Sequence, residues 1–176
     1  MTHRALFLDR DGVINVDHAY VYRPDQFEFI EGIFDLCRHA RTLGYEIVVV
    51  TNQAGIGRGY YSAQDFDKLT HWMNARFAEH GITIAGVYYC PCHPEHGIGA
   101  YKRESDRRKP NPGMLLDAAR DLGINLSLSI LIGDKASDIE AGRRAGLKKS
   151  LLFAMNAAPG DAGVIRSLAE AHALLD

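Results

Sequence analysis

Two carboxylates, Asp9 and Asp11, follow a short apolar segment, residues 5–8, that we predict to be a buried strand. Their spacing directs both side chains to roughly the same side of a strand end. Without a counter-charge they would repel each other, which suggests a cation between or beside them. Gly12 then allows a tight turn. Because the pattern Asp-x-Asp also occurs in solvated acidic turns, this spacing alone does not distinguish an active site from a surface turn.

Three further polar segments stand where predicted strands end or predicted helices begin. They are Thr51, Lys109, and Gly133-Asp134 with Asp138. Each residue alone has an ordinary structural explanation. Thr51 could form part of a turn, Lys109 could lie on the solvated surface, and Asp134 could be an acidic cap of a helix. Together with the first pair they supply a nucleophilic carboxylate, a second carboxyl for proton transfer, a hydroxyl and an ammonium for phosphoryl oxygens, and ligands for a hard cation. The set predicts metal-dependent hydrolysis of phosphate monoesters.

The elements that must position these residues alternate between strands and helices. The predicted strands are 5–8, 46–50, 87–89, 128–132 and 150–153; the predicted helices are 33–43, one opening at Ser62, one with Pro112 in its first turn, 136–145 and 167–175. This alternation predicts an α/β fold with a single Rossmann-like, doubly wound, mostly parallel sheet that binds ligands at the carboxyl ends of its strands. We expect one domain, residues 1–176, in which two long loops, 12–31 and 91–111, are functional.

The composition narrows the possible partners. Apolar residues make up 47% of the chain, charged residues 24%, and the formal net charge is -2. There is therefore no overall basic field for nucleic acid or an anionic membrane. We predict no signal peptide and no transmembrane segment. Three cysteines cannot all pair within one chain, so we expect a reducing, cytoplasmic location. The expected protein is a monomer that acts on a small molecule.

Taken together, the sequence resembles the haloacid dehalogenase superfamily of phosphohydrolases. Four motifs carry the resemblance, namely residues 9–13, Thr51, Lys109 and residues 133–138. The resemblance implies that Asp9 is the nucleophile that forms an aspartyl-phosphate and that Asp11 is the general acid and base. It further implies that Thr51 and Lys109 stabilise the phosphoryl group. The intervals between the motifs leave no room for the cap domain of many relatives, so selectivity must come from loops.

The same resemblance implies a magnesium site. Its ligands would be Asp9, the backbone carbonyl of Asp11, and Asp134, with Asp138 supporting the metal ligands. Val13 departs from the pattern, since many relatives carry threonine there. The exchange removes a hydroxyl near the nucleophile that the chemistry does not require.

A finer resemblance links the chain to the family of bacterial D-glycero-D-manno-heptose 1,7-bisphosphate 7-phosphatases. The segments that carry it are residues 7–18, 20–21, 27–30, 48–53, 55–59, 88–91, 108–114 and 133–135. It implies removal of the 7-phosphate in the biosynthesis of nucleotide-activated heptose for the lipopolysaccharide core. It also implies a set of substrate-binding residues: Asp17, His18, Ala19, Tyr20, Asn52, Gln53, Ala54, Arg108 and Lys135.

A basic loop leads to the motif lysine. It contains Lys102, Arg103, Arg107, Arg108 and Lys109. Such a run is usually a solvated surface, but beside a phosphate site in a mildly acidic protein it also suits a substrate with a second anionic group. Arg108 is the side chain best suited to a planar, two-pronged contact with phosphate or hydroxyls.

A zinc site on this loop is the open question of the sequence. Relatives carry a structural zinc bound by cysteine and histidine, whereas the second half of that pattern here reads Ser105-Asp106-Arg107, without thiolates. Cys90, Cys92, His93 and His96 offer the four ligands that structural zinc needs, but on one short segment. The alternative is a loop held by packing, with free cysteines.

Three other functions compete with this prediction. Histidinol-phosphate phosphatase shares the subfamily and the chemistry, but its substrate carries one phosphate and an amine, which the basic loop favours less. A receiver-type signalling domain also uses Asp, Thr, Lys and magnesium, but the ends of its second and third strands here would be Thr51 and Cys90, neither of which is a phospho-acceptor aspartate. A binding protein with an inactive site is the third, although no expected catalytic group is missing.

Overall fold

A six-stranded sheet forms the centre of the computed structural model, which describes residues 3–158 and 160–175; residues 1, 2, 159 and 176 of the expected domain lie outside the description. The strands are β1 (Arg4–Leu8), β2 (Tyr45–Asn52), β3 (Ile84–Cys90), β4 (Ile130–Gly133), β5 (Lys149–Phe153) and β6 (Val164–Ile165). Their order is β3-β2-β1-β4-β5-β6, and all five pairings are parallel. The predicted α/β fold with a parallel sheet is confirmed.

Helices cover both faces of this sheet. They are α1 (Ile33–Thr42), α2 (Ala54–Gly57), α3 (Ala63–Glu79), α4 (Gly113–Leu122) and α5 (Ala136–Ala145), with 3-10 segments at Pro24–Gln26, Gly99–Tyr101, Leu126–Leu128 and Leu168–Leu174. Successive side chains of a strand point to opposite faces. Leu6 and Leu8 of β1 accordingly pack in one core with α1 and α3, whereas Ala5 and Phe7 pack in a second core with α4 and α5. The sheet is therefore doubly wound, as predicted.

The longest helix shows how local sequence fixes an element. Ser62 caps α3, since its hydroxyl accepts from the Asp65 backbone N–H at 3.0 Å while the Asp65 carboxylate accepts from the Ser62 N–H at 2.9 Å. One face of α3 is buried, and it consists of Phe66, Leu69, Met73 and Phe77. These four residues are the apolar face that the helical spacing predicts.

Two predicted segments contain a 3-10 helix where a regular strand or α-helix was expected. Strand β4 begins at Ile130, because Asn125 accepts from the Ser127 backbone N–H at 2.9 Å and turns residues 126–128 into a 3-10 segment with Leu128 exposed. The predicted last helix, 167–175, is a 3-10 helix spanning Leu168–Leu174. The prediction of regular structure in both places rested on apolar content alone. In the structure, a side-chain cap at the start of each segment favours the 3-10 conformation of the backbone.

The order of the strands determines where a ligand-binding crevice can form. Strand β1 lies between β2 and β4, so the chain reverses its direction of travel across the sheet at β1. Loops from neighbouring strands separate there and leave a crevice at the carboxyl ends. Asp9 directly follows β1, Thr51 lies near the end of β2, and Asp134 directly follows β4. Within the part of the chain that the structure describes, no helix combines the length and apolar character needed to cross a membrane.

Candidate active site

A buried ion pair occupies the floor of this crevice. Asp9 is 5% exposed and Lys109 is 4% exposed. The Lys109 ammonium donates to Asp9 Oδ1 at 3.0 Å and to the Val50 carbonyl of β2 at 2.9 Å, and it lies 2.6 Å from Asp138 Oδ1. The Asp9 backbone N–H donates to the Ile132 carbonyl at 3.1 Å, which ties the end of β1 to β4. Both charged groups are thus anchored to strands.

The electrostatics of this floor depend on burial and on an excess of carboxylates. Burial raises the pKa of Asp9 to about 7, with Asp138 and Asp134 adding to the rise and Lys109 opposing it. Burial alone would lower the pKa of Lys109, but Asp9 and Asp138 more than offset this and raise it. Lys109 therefore stays an ammonium, and the ionised form of Asp9 needs further positive charge.

Three carboxylates provide a place for that charge. Ligand oxygens of Asp9, Asp134 and Asp138 lie within 4.8 Å of one another. Asp138 is already committed, because Oδ1 contacts Lys109 while Oδ2 accepts from the backbone N–H groups of Asp134 at 3.1 Å and Lys135 at 3.0 Å. Asp134 Oδ1, in contrast, is buried without a hydrogen-bond partner. Oxygen ligands of this kind fit a hard cation such as Mg²⁺, held by Asp9 and Asp134.

A glycine makes room for the cation site. The φ angle of Gly12 is +93°, and a Cβ at this position would lie 2.2 Å from Asp134 Oδ2. Any other residue would push the Asp134 carboxylate away. The carboxylate of Asp11 lies outside the three-carboxylate cluster, which is compatible with the expected ligation through its backbone carbonyl.

The Asp11 carboxylate is held by three side chains. Asp11 Oδ1 accepts from Arg10 Nη2 and from Asn15 Nδ2, each at 3.0 Å, and Oδ2 accepts from Gln53 Nε2 at 3.0 Å. Arg10 is itself buried and donates to the Val21 carbonyl at 2.7 Å. The second carboxylate of the motif thus has a fixed position at the edge of the crevice, with 18% of its side chain exposed.

The crevice consists of two adjoining chambers. The reaction chamber, about 430 Å³, contains Asp9, Asp11, Thr51, Asn52, Ala54, Arg108, Lys109, Pro110, Lys135, Ser137 and Asp138. The side chamber, about 290 Å³, contains Asp11, Asp17, Ala19, Tyr20, Asn52, Gln53, Ala54, Gly55, Tyr61 and Lys135. Asp11 and Lys135 are among the residues that the chambers share. The structure therefore brings together all four predicted catalytic residues and places a second compartment beside them.

Most of the predicted substrate-binding residues line these chambers, but His18 does not. Its Nε2 lies 2.9 Å from Glu28 Oε2, and its side chain lines a separate pocket with Asp25 and Phe27. Two residues in the left-handed conformation, Ala19 and Tyr20 with φ angles of 58° and 54°, directly follow His18. His18 thus lies apart from the predicted binding residues that line the two chambers.

Only the end of the basic loop reaches the crevice. Arg108 and Lys109 line the reaction chamber, whereas Lys102 and Arg103 are exposed. Arg107 pairs with Asp117 on the surface at 3.2 Å. Arg108 is oriented by donation from Nη1 to the Cys92 carbonyl at 3.3 Å. The loop thus contributes one arginine, rather than a basic surface, to the site.

The four predicted zinc ligands are not gathered. Across residues 3–158 and 160–175, the only group of three or more side chains at metal-binding spacing is the carboxylate cluster. Cys90 and Cys92 are free thiols buried in the core beneath α4. His93 Nδ1 accepts from the backbone N–H groups of Glu95 at 3.2 Å and His96 at 3.1 Å. Across the same residues, packing and backbone contacts hold the loop.

Several residues of the site could not be found from the motifs. Arg10 and Asn15 hold Asp11, and Tyr61 forms part of the side chamber. Arg10 and Asn15 are part of the first motif segment, but their local pattern does not show which way their side chains point. Tyr61 follows the short helix α2, outside the segments that carry the resemblance, and lines the side chamber.

The parallel sheet, the strand-end carboxylates and the buried lysine define a HAD-like hydrolase. A family model described as HAD-hydrolase-like matches residues 106–170. A HAD-like protein of Mesorhizobium loti has a solved structure with a TM-score of 0.89 and 35% identity, covering 99% of this chain and 86% of that one. The D,D-heptose 1,7-bisphosphate phosphatase of B. bronchiseptica, solved with magnesium and phosphate, has a TM-score of 0.81 and 27% identity, covering 98% and 97%.

Curated relatives are closer in sequence. The D-glycero-alpha-D-manno-heptose-1,7-bisphosphate 7-phosphatase of Burkholderia mallei is 59% identical over 153 residues, 87% of this chain and 81% of the relative. The D-glycero-beta-D-manno-heptose-1,7-bisphosphate 7-phosphatase of Vibrio cholerae is 51% identical over 152 residues, 86% and 82%. The chain belongs to this family of phosphatases within the HAD-like hydrolases, which confirms the resemblance found in its motifs.

Proposed function

We propose that this phosphatase removes the 7-phosphate of D-glycero-D-manno-heptose 1,7-bisphosphate, in the synthesis of nucleotide-activated heptose for the lipopolysaccharide core. The observation that carries the proposal is the buried Asp9–Lys109 pair below a chamber whose walls hold two more cations, Arg108 and Lys135. The names of the relatives at 59% and 51% identity support the same substrate. We further propose that the chain acts in the cytoplasm as a single-domain monomer, since one chain supplies every group that the reaction uses.

The reaction has two steps. In the first, the Asp9 carboxylate attacks phosphorus, the bond from phosphorus to the sugar oxygen breaks, and Asp11 donates a proton to that oxygen. In the second, water attacks the aspartyl-phosphate, Asp11 takes the proton of the water, and Asp9 and inorganic phosphate are released. The Thr51 hydroxyl and the Lys109 ammonium stabilise the charge on the phosphoryl oxygens.

Magnesium, when bound, neutralises the combined charge of the phosphate and the carboxylates. Asp9 and Asp134 are the side chains that would hold it, and the backbone carbonyl of Asp11 is the third proposed ligand. The buried, unpartnered Asp134 Oδ1 supports this assignment.

The two chambers suit the two parts of the substrate. The reaction chamber takes the phosphate that is cleaved beside Asp9 and the retained phosphate beside Arg108, and the side chamber, with Asp17, Tyr20 and Asn52, takes the sugar. Lys135 lies on both, and its Nζ is 3.7 Å from Asp17 Oδ2 and 3.8 Å from Asp134 Oδ2. These are loose contacts, so Lys135 can join Arg108 at the phosphate that is retained.

The test is kcat/KM with magnesium for histidinol phosphate, an aryl phosphate and both anomers of the heptose bisphosphate, since the two relatives above are named for different anomers. We expect kcat/KM for one heptose anomer to exceed that for histidinol phosphate and that for the aryl phosphate by at least about tenfold. A preference for histidinol phosphate would overturn the substrate and keep the chemistry. Turnover of the aryl ester alone would overturn the heptose assignment in favour of an unselective phosphatase.

A further inference from the structure

Tyr61 lines the side chamber and reaches Asp11 through a single buried amide. Its hydroxyl donates to Gln53 Oε1, and the two side chains belong to residues that are 7% and 2% exposed. Gln53 Nε2 in turn donates to Asp11 Oδ2 at 3.0 Å and to Thr51 Oγ1 at 2.9 Å. One amide thus joins the proposed acid and base to the hydroxyl that contacts the phosphoryl group.

An amide can face a neighbour with either end. With its nitrogen toward Asp11, Gln53 donates to a carboxylate; turned over, it would place its carbonyl oxygen against that carboxylate, and the two would repel. The Tyr61 hydroxyl selects the first orientation, because it donates to the amide oxygen. Burial raises the pKa of Tyr61, so the hydroxyl keeps its proton.

The chain positions the Tyr61 ring tightly. A Cβ at residue 55 would lie 2.2 Å from Tyr61 Cε1, so the ring rests directly on the backbone of Gly55. On the other side the ring stacks with Tyr22 at a centroid distance of 5.2 Å and an interplanar angle of 6°. The hydroxyl therefore has little freedom to leave Gln53.

We propose that Tyr61 is a positioning residue for proton transfer, which acts by fixing the amide of Gln53 so that this amide holds Asp11 beside the leaving oxygen. The side chain of Gln53 makes its three hydrogen bonds to Tyr61, Asp11 and Thr51, so the structure assigns this side chain to support rather than to contact with the sugar. The inference rests on the proposed role of Asp11 in the phosphatase reaction and does not depend on which sugar is bound.

The chemistry of the leaving group distinguishes positioning from a general structural role. A sugar oxygen is a poor leaving group and needs a proton as its bond to phosphorus breaks. A 2,4-dinitrophenolate is a good leaving group and departs without one. The quantity kcat/KM covers the steps up to formation of the aspartyl-phosphate, so it isolates the donation of that proton.

The test compares Tyr61→Phe with the unchanged protein on three substrates in magnesium: the heptose bisphosphate, fructose 1,6-bisphosphate and 2,4-dinitrophenyl phosphate. We expect kcat/KM to fall about tenfold for the sugar phosphates, part of the hundredfold or more that complete loss of proton transfer costs, and less than about twofold for the aryl ester. No change for any substrate, or an equal fall for all, would overturn the proposal.

Fructose 1,6-bisphosphate separates this proposal from the proposed substrate. If the heptose bisphosphate is not turned over but fructose 1,6-bisphosphate is, the substrate assignment fails while the comparison of leaving groups still tests Tyr61. Tyr88→Phe is the matched control, because it removes a tyrosine hydroxyl that donates to Asp121 on the surface at 3.3 Å. It should leave all the rates unchanged.

A double-mutant cycle tests the route of the effect. Gln53→Ala should show the same dependence on the leaving group, and adding Tyr61→Phe to it should cause no further loss for the sugar phosphates. Additive losses would mean that Tyr61 does not act through Gln53. Thermal unfolding of each variant verifies that the fold is kept. If Tyr61→Phe does not fold, the dependence of kcat/KM on the leaving group in Gln53→Ala decides whether the Gln53 amide serves proton transfer.

Discussion

Lys109 Nζ lies 3.0 Å from Asp9 Oδ1, and both side chains are almost completely withdrawn from water, at 3% and 7% exposure. A buried ion pair loses the hydration of both partners, so each depends strongly on the other. Because Asp138 lies on the other side of the same ammonium, one lysine offsets two carboxylates. Asp9, the proposed nucleophile, is thus also part of the buried core.

Removal of the lysine should therefore weaken the fold. Lys109→Met leaves Asp9 and Asp138 buried without their cation, and we expect a loss of about 3 to 5 kcal/mol in the free energy of unfolding. Urea denaturation without magnesium measures it, with the exposed Lys102→Met as control. A loss below about 1 kcal/mol, as for a surface pair, would contradict the buried ion pair.

Asp9→Asn should abolish turnover and leave the fold intact. The amide is nearly the same size, and Lys109 keeps Asp138 as its partner, but the attacking oxygen is lost. We expect kcat to fall by on the order of a thousandfold or more, as for other removed nucleophiles. Steady-state turnover of an aryl phosphate, with circular dichroism as a check of folding, is the measurement. Sizeable residual activity would exclude Asp9 as the nucleophile.

Asp11→Asn should slow the reaction without changing the metal site. It replaces the proposed acid and base by an amide that cannot transfer a proton, and the NH2 end of that amide must face donors, either Arg10 and Asn15 or Gln53. We expect kcat for a sugar phosphate to fall roughly a hundred- to ten-thousandfold. Near-normal rates would refute the role of Asp11.

Gly12→Ala should weaken magnesium binding. Its Cβ would lie 2.2 Å from Asp134 Oδ2, so the carboxylate must move. We expect the dissociation constant for magnesium, measured by calorimetry, to rise at least about tenfold, the lower range for disturbed metal ligands. Gly44→Ala is the matched control, since its φ is also positive, +82°, but nothing lies within 4 Å of its Cβ. Equal effects would show that backbone strain, not contact with Asp134, is responsible.

Arg108→Ala should reduce kcat/KM for the heptose bisphosphate more than kcat/KM for a simple phosphate ester. Arg108 lines the reaction chamber, and its guanidinium donates to the Cys92 carbonyl at 3.3 Å. We expect kcat/KM for the heptose bisphosphate to fall at least about tenfold, the loss of a charge-assisted contact, and that for an aryl phosphate to change less than about threefold. Arg107→Ala, which removes a surface ion pair with Asp117, is the control. If both substrates suffer equally, Arg108 is not a specificity residue.

The sequence predicted the groups on strand ends better than those held by side-chain contacts. Asp9, Thr51 and Asp134 follow apolar segments whose strand character is unambiguous, and parallel topology brings their ends together. The positions of His18 and Tyr61 depend instead on the turn at residues 19–20 and on the short helix α2. Neither feature leaves a periodic signal, because each is decided by packing between distant segments.

Spacing along the sequence was also insufficient to predict how the candidate zinc ligands are arranged. Cys90 and Cys92 have suitable side chains and spacing, but a metal site also requires that all ligand atoms converge. In the structure the two thiols enter the apolar core of α4, while the imidazole of His93 accepts from its own loop. Spacing predicted which ligands were available, and only the fold could show where they point.

The turn at Ala19 and Tyr20 has a consequence for the diversification of the enzyme. Two adjacent residues other than glycine adopt the left-handed conformation, which costs about 1 to 2 kcal/mol for each residue. The Tyr20 ring packs against Gly55, where a Cβ would come within 2.9 Å of it. Glycine or asparagine in this turn would relax the backbone and loosen that contact, so stability and selectivity oppose each other here. Asp9, Thr51 and Asp134 lie apart from it at strand ends, so we expect changes in this turn to alter the side chamber before they alter the reaction chamber.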